Sequence, residues 1–108
     1  AASDVYKRQF KNPVVSGDLA RRIREVHPGV VAYPQADGEV KLAAGWLIEQ
    51  AGWKGYRDGD AGVHRMQALV LVNYGQATGE QLHELAQKIQ DDVLDKFGVE
   101  LEMEPNLY

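Results

Sequence analysis

Residues 78–98, TGEQLHELAQKIQDDVLDKFG, constrain the fold more than any other stretch of the chain. Leu82, Leu85, Ala86, Ile89, Val93 and Phe97 recur three or four positions apart, so a helix gathers them into one apolar stripe. Thr78 and Gln81 have the spacing of a capping box, in which two side chains satisfy backbone N–H groups that the first turn leaves orphaned. Gly98 supplies a stop, because glycine takes the left-handed backbone of a helix end without steric cost. The spacing predicts a helix over 78–97 whose stripe is buried against another layer.

The remaining periodicity supplies that layer. Residues 68–73, ALVLVN, are short, apolar and rich in β-branched side chains, the pattern of a strand buried on both faces. Val99, Leu101 and Met103 alternate with Glu100, Glu102 and Glu104, which predicts a half-buried strand. Pro13 donates no ladder hydrogen bond, so residues 10–15 read as an edge strand or extended segment. Residues 18–26 read as a helix with Leu19, Ile23 and Val26 on one face. Ser16 or Asp18 is its cap and Pro28-Gly29 its stop. Residues 29–40 read as a loop or irregular hairpin turning at Asp37-Gly38. A further helix is predicted over 41–51, burying Leu42, Ala43, Trp46, Leu47 and Ala51; its internal Gly45 implies close packing or ligand approach. Residues 52–62 read as a glycine-rich loop. The order of elements predicts an α+β fold, with helices packed on one side of a small, mainly antiparallel sheet.

Composition narrows the function. A chain of 108 residues is one domain by size. A net charge of -4 provides no broad basic footprint, so nucleic acid is not an expected partner, although local cations could hold a small anion. No cysteine is present, which excludes a disulfide, a thiol nucleophile and a thiolate metal site, and is compatible with a reducing cytoplasm. No apolar run approaches the ~20 residues that span a bilayer, so no membrane partner is expected. His27, His64 and His83 lack metal-ligand spacing, and no metal site is expected. There is no nucleophile elbow, P-loop or dinucleotide glycine fingerprint, so flavin binding by this chain alone is not expected. Trp46 and Trp53 read as packing residues.

Four short motifs occur in a fixed order: FKNP at 10–13, YPQADG at 33–38, KLAAGWLIEQ at 41–50 followed by AGWKGYR, and VHRMQALVLVN at 63–73. Together they resemble, from Phe10 to about Glu104, the C-terminal substrate-binding domain of UDP-N-acetylenolpyruvoylglucosamine reductase of the first type. That family, also called UDP-N-acetylmuramate dehydrogenase, makes UDP-N-acetylmuramate for bacterial peptidoglycan. The resemblance implies a substrate-binding lobe of a cytoplasmic oxidoreductase that uses FAD and NADPH in the parent enzyme. It implies UDP-N-acetylglucosamine enolpyruvate as ligand and a flavin-binding domain of the same chain as partner. The fragment alone is then expected to hold neither cofactor and to be inactive.

The resemblance also implies roles for individual residues. Glu104 is the second acid of an L-E-x-E motif and matches the family's catalytic glutamate, which stabilises negative charge building on the enolpyruvyl group. If it donates a hydrogen bond, its carboxyl must stay protonated, which burial would favour. Spacing alone makes it a solvated acid on the exposed face of a strand. The tail Pro105-Asn106-Leu107-Tyr108 departs from the family's apolar-basic continuation. Asn12 matches an asparagine that contacts the substrate diphosphate; read without the family, it is as readily a turn residue before Pro13. Tyr33 matches the tyrosine of a loop that folds over the substrate, with packing on the nearby core as the competing reading. Lys54 matches a lysine that faces diphosphate, against a plain solvated lysine. Gln67, in an H-R-x-Q-A pattern, matches a substrate contact, with His64 and Arg65 positioning its segment. The family's proton-donating serine belongs two residues before Phe10. Arg8 stands there and Gln9 replaces the preceding phenylalanine, so no serine is carried over. The family's catalytic arginine belongs to the flavin domain.

Residues 4–9, DVYKRQ, are also the translation of GAT GTG TAT AAG AGA CAG, which resembles a transposon end used to build sequencing libraries. Residues 1–9 are therefore expected to be a non-native leader ahead of a domain at 10–108, the competing reading being a native polar leader. The alternative to the reductase lobe is a stand-alone nucleotide-sugar-binding or interaction module without catalysis. Tyr33, Lys54 and Gln67 would then form a binding surface and Glu104 would be incidental.

Overall fold

The computed structural model describes residues 7–104. In chain order the elements are β1 (Lys7–Gln9), β2 (Val14–Ser16), α1 (Gly17–Val26), β3 (Ala32–Pro34), β4 (Glu39–Leu42), α2 (Ala44–Gln50), β5 (Arg57–Asp58), β6 (Ala61–Val63), β7 (Val70–Asn73) and α3 (Gly79–Phe97). The fold is α+β with antiparallel pairing, and the sheet is divided into a four-stranded part, β1-β7-β6-β5, and a three-stranded part, β2-β4-β3.

The long helix forms as its sequence dictates. Thr78 Oγ1 accepts from Gln81 N–H at 3.1 Å, and Gln81 Oε1 accepts from Thr78 N–H at 2.9 Å. Gly98 closes α3 at a φ of 71°. The stripe from Leu82 to Phe97 is buried, and α3 packs on β6, β7 and α2. β7 is buried along Val70, Leu71 and Val72, as its unbroken apolarity predicts. Ala61, Val63 and Leu71 share the core with the α3 stripe. On the smaller sheet, Ala20 and Ile23 of α1 join the same core, with Val15 and Val40 packed against it. Ser16, rather than Asp18, caps α1 by accepting from Leu19 N–H at 3.2 Å.

Three boundaries differ from expectation, each for a local physical reason. The second helix begins at Ala44, not Lys41, because Glu39–Leu42 alternates polar and apolar residues and pairs on both sides as the central strand β4. The segment 29–40, by contrast, is the expected irregular hairpin, β3 turning at Asp37-Gly38 into β4. Asp37 and Gly38 both take positive φ there, 62° and 78°. The glycine-rich stretch 52–62 hides the β5–β6 hairpin, whose strand Arg57–Asp58 is exposed and so carries no apolar signal. Residues 99–103 show the expected alternation, with Val99 and Leu101 buried, but form one bridge, Met103 to Phe10, rather than a ladder. Gln90 Nε2 donates to the Leu101 carbonyl at 2.9 Å in place of a neighbouring strand.

Lys7–Gln9, within the expected leader, pair with Val70–Val72. A strand slot is filled by backbone N–H and C=O groups, so it accepts many side chains. Phe10 follows at 1% exposure and anchors this crossing between the two sheets. Pro13 donates nothing at the crossing, yet its carbonyl accepts from Leu42 N–H at 2.8 Å.

Candidate functional site

Antiparallel register places Val14, Lys41 and Tyr33 side by side across β2, β4 and β3. The flanking rows, Val15 with Val40 and Ala32 with Leu42, pack toward the core. Strand alternation therefore turns the Val14–Lys41–Tyr33 row outward. Val14 is 49% and Tyr33 51% exposed.

A hollow of about 470 Å³ opens at this row. Phe10, Val14 and Leu69 contribute its apolar lining, and Lys11, Asn12, Lys41 and Glu104 contribute polar side chains. Two backbone hydrogen bonds position Glu104. Its own N–H donates to the Gln9 carbonyl at 2.7 Å, and Lys11 N–H donates to the Glu102 carbonyl at 2.8 Å. The Glu104 side chain is exposed and has no hydrogen-bond or ionic partner among the described residues.

Asn12 is fixed differently. Its Oδ1 accepts from Ala44 N–H at 2.9 Å, across 32 positions of sequence. Ala43, which precedes α2, has no side-chain acceptor, so Asn12 supplies the missing cap. With Oδ1 committed, the side chain offers its surroundings the Nδ2 donors, which have no partner among the described residues.

Gln67 lies in the loop between β6 and β7. His64 Nδ1 accepts from Met66 N–H at 2.9 Å and Gln67 N–H at 3.1 Å, so His64 shapes the loop. Two residues later Leu69 lines the hollow, and its carbonyl accepts from Phe10 N–H at 2.9 Å. Leu69 also meets α2, where a Cβ added at Gly45 would stand 3.3 Å from Leu69 Cδ2. Close packing therefore accounts for that glycine. Lys54 stands apart from the hollow's lining and pairs with Glu49 at 3.2 Å. Its neighbour Gly55 approaches the Gln67 loop, since a Cβ there would lie 3.7 Å from Arg65 Cγ.

The structure thus brings Asn12 and Glu104 into one hollow and sets Tyr33 on the row that enters it. Gln67 is on an adjoining loop, and Lys54 is elsewhere. Lys11 and Lys41 were not singled out from the sequence. The alternation Glu39, Val40, Lys41, Leu42 was the available signal for Lys41, since it marks a strand with an outward lysine.

A second hollow has different chemistry. Trp53 Nε1–H donates to Asp92 Oδ2 at 2.8 Å, and Lys96 Nζ stands 3.0 Å from the same oxygen. Lys96 also donates to the Ala51 carbonyl at 3.1 Å. Burial alone would raise the Asp92 carboxyl. The hydrogen bonds from Lys96 and Trp53, with the Lys96 charge, outweigh it and hold the group below the ordinary carboxylate range. Trp53 stacks edge-on against Tyr56 at 4.9 Å, and Trp46 contacts the His27 and Phe97 rings. Both tryptophans are packing residues.

All pairings among the named strands are antiparallel, so the described residues contain no strand–helix–parallel-strand unit of the kind that cradles a dinucleotide. No helix among them is long and apolar enough to cross a membrane.

Residues 8–108 match the family model for the C-terminal domain of UDP-N-acetylenolpyruvoylglucosamine reductase. The chain is 78% identical over 99 residues to the UDP-N-acetylenolpyruvoylglucosamine reductase of Pseudomonas putida, covering 92% of this chain and 29% of that protein. The protein of the same name from Pseudomonas aeruginosa is 64% identical over 99 residues, with the same coverage of both chains. That from Chromobacterium violaceum is 67% identical over 96 residues, covering 89% of this chain and 28% of the relative. The chain therefore spans less than a third of the curated relatives it matches. It belongs to the family of UDP-N-acetylenolpyruvoylglucosamine reductase C-terminal domains.

Proposed function

We propose that this chain is the substrate-holding lobe of a cytoplasmic UDP-N-acetylmuramate dehydrogenase and grips UDP-N-acetylglucosamine enolpyruvate. The observation that carries the reading is the shared hollow: Asn12 and Glu104 line it, and Tyr33 is in register with Lys41 on the row that enters it. The Asn12 amide donates to a phosphate oxygen, and the Tyr33 phenol covers the ligand with its ring and hydroxyl. Gln67 approaches from the adjoining loop. Lys54 adds positive charge only if it exchanges Glu49 for the ligand.

Glu104 faces the enolpyruvyl end, where negative charge develops during reduction. A carboxylic acid positioned there donates a hydrogen bond to the enolate-like species, provided that water is excluded. The exposure of Glu104 in this chain means that the ligand and a covering lobe must supply that exclusion. FAD and NADPH belong, on this reading, to the remainder of the parent chain.

Calorimetric titration of the chain with UDP-N-acetylglucosamine enolpyruvate tests the proposal. We expect saturable binding that weakens in Tyr33→Phe and in Asn12→Asp. Absence of heat at millimolar ligand would defeat the claim that this lobe grips substrate by itself.

A further inference from the structure

We infer that Gln90 is a positioning residue for Glu104: from α3 it clamps the backbone of the segment that carries the acid to the hollow. The inference rests on the proposed catalytic role of Glu104. Its own basis is how residues 99–104 are held. Val99 and Leu101 are buried and Met103 packs against the core, yet the segment belongs to neither sheet. No backbone–backbone hydrogen bond ties Val99, Glu100 or Leu101 to another described residue. The Leu101 carbonyl is held instead by a side chain, Gln90 Nε2, at 2.9 Å.

The direction of that bond matters. Residues 99–102 alternate between buried and exposed, as an extended chain does, and an extended chain sends successive carbonyls to opposite sides. Gln90 holds the Leu101 carbonyl from the side of α3. Lys11 N–H holds the Glu102 carbonyl at 2.8 Å from the side of Phe10, and the Glu104 N–H donates to the Gln9 carbonyl at 2.7 Å on that same side. The segment is therefore fixed from both sides just before it reaches the hollow. Buried Val99 and Leu101 set which face is inward, but apolar side chains do not aim a carbonyl; the amide does. Without it, the segment is bonded on the Phe10 side only.

Three residues, about 10 Å of extended chain, separate Leu101 from Glu104, so a small rotation at Leu101 is carried to the acid. A carboxyl that must meet charge developing on a bound ligand tolerates little displacement. The other glutamines of α3 have local partners. Gln81 closes the capping box, and Gln87 donates to Asp91 at 3.0 Å within the helix. Of the three, Gln90 is the one that reaches out of α3 to another segment.

A double-mutant cycle in the parent enzyme tests the inference. Gln90→Met keeps the length of the side chain and removes the donor. It should lower kcat by about tenfold with KM changed less than about twofold, short of the ~100-fold that a misplacement of one ångström can cost. Gln90→Lys restores a donor of similar reach and should recover most of the turnover. Gln87→Met removes the amide that stays within the helix and should behave as wild type. On a Glu104→Gln background, Gln90→Met should lower kcat by less than about twofold more, because its effect passes through the missing acid. A general loosening of the fold would instead lower turnover equally on both backgrounds. In the chain itself, followed by NMR, Gln90→Met should speed hydrogen exchange of the Glu104 amide.

Unchanged kcat in Gln90→Met, an equal loss on the two backgrounds, or no recovery in Gln90→Lys would overturn the inference. Should Gln90→Met misfold, Gln90→Glu, which keeps the shape but accepts where glutamine donates, carries the cycle. If Glu104→Gln turns over normally, the catalytic reading of Glu104 falls. Faster exchange of the Glu104 amide in the Gln90 variant then upholds the clamp, and unchanged exchange overturns it as well.

Discussion

Two hollows of this molecule use lysines, acids and aromatic rings in opposite ways. Around Trp53 the polar groups are committed to one another: the indole and Lys96 meet on Asp92, and Lys96 also reaches the Ala51 carbonyl. Around Lys41 they are uncommitted: Lys11, Lys41 and the Glu104 carboxylate have no partner among the described residues. The first arrangement ties the loop after α2 to α3 and stabilises the fold. The second adds little to stability, and its charges have no partner among the described residues. Residue type therefore does not separate the two hollows; the state of their hydrogen bonds and ion pairs does.

The largest effect should come from the apolar wall between the two sheets. Phe10→Ala should cost about 3–5 kcal/mol in denaturant unfolding, because it removes a fully buried ring from the crossing that also shapes the open hollow. A loss under about 1 kcal/mol would mean that the crossing is not a packed part of the core. Next, Glu104→Gln in the parent enzyme should lower turnover by about 100-fold or more while substrate binding changes far less. Near-normal turnover would place Glu104 with the solvated acids.

The committed cluster should respond in stability alone. Trp53→Phe should cost about 1–2 kcal/mol, because the Asp92 carboxylate loses a donor, with affinity for UDP-N-acetylglucosamine enolpyruvate unchanged. The pH dependence has a definite sign. The Asp92 carboxyl is lowered in the folded state, so its contribution is present above its unfolded value of about 3.8 and fades as pH falls through the lower folded value. Asp92→Asn should remove this part of the acid dependence when unfolding midpoints are compared between about pH 5 and about pH 2. A variant that keeps the full wild-type slope would show that other carboxylates carry it.

The smallest effects sharpen the contrast most. Asn12→Ala should cost about 1 kcal/mol, since α2 loses its borrowed cap. Asn12→Asp keeps an acceptor for Ala44 N–H and should nearly preserve stability, yet it places negative charge where an anion is expected. Equal loss of stability in both variants would show that the Ala44 bond is not what Asn12 contributes. Lys41→Gln should change stability by under about 0.5 kcal/mol, as for an outward-facing charge without a partner.

The sequence showed the long elements well. α3 was legible because its stripe, capping box and glycine stop are all local signals that agree. β7 was legible because a strand covered on both faces is apolar throughout. β5 was not, because Arg57 and Asp58 are exposed and contribute only backbone bonds to a hairpin. The start of α2 was misplaced because Leu42 and Ala43 fit either period, and the pairing of Leu42 with Ala32 on β3 decided the matter. For the site, the motifs marked Asn12, Tyr33, Lys54, Gln67 and Glu104 individually. They did not reveal that Asn12 caps α2, that Lys54 pairs with Glu49, or that Lys11 and Lys41 line the hollow without partners.

What the chain order alone determined is the elements with strong local signals, such as α3 and β7, because periodicity, caps and turn residues act over a few positions. It also determined the family, because the motifs are contiguous words. The division of the strands into two sheets, and the meeting of residues 12, 41 and 104, were decided only in three dimensions. The reason is that register between distant strands, and the presence or absence of a counter-charge beside a lysine, depend on contacts between segments far apart in sequence.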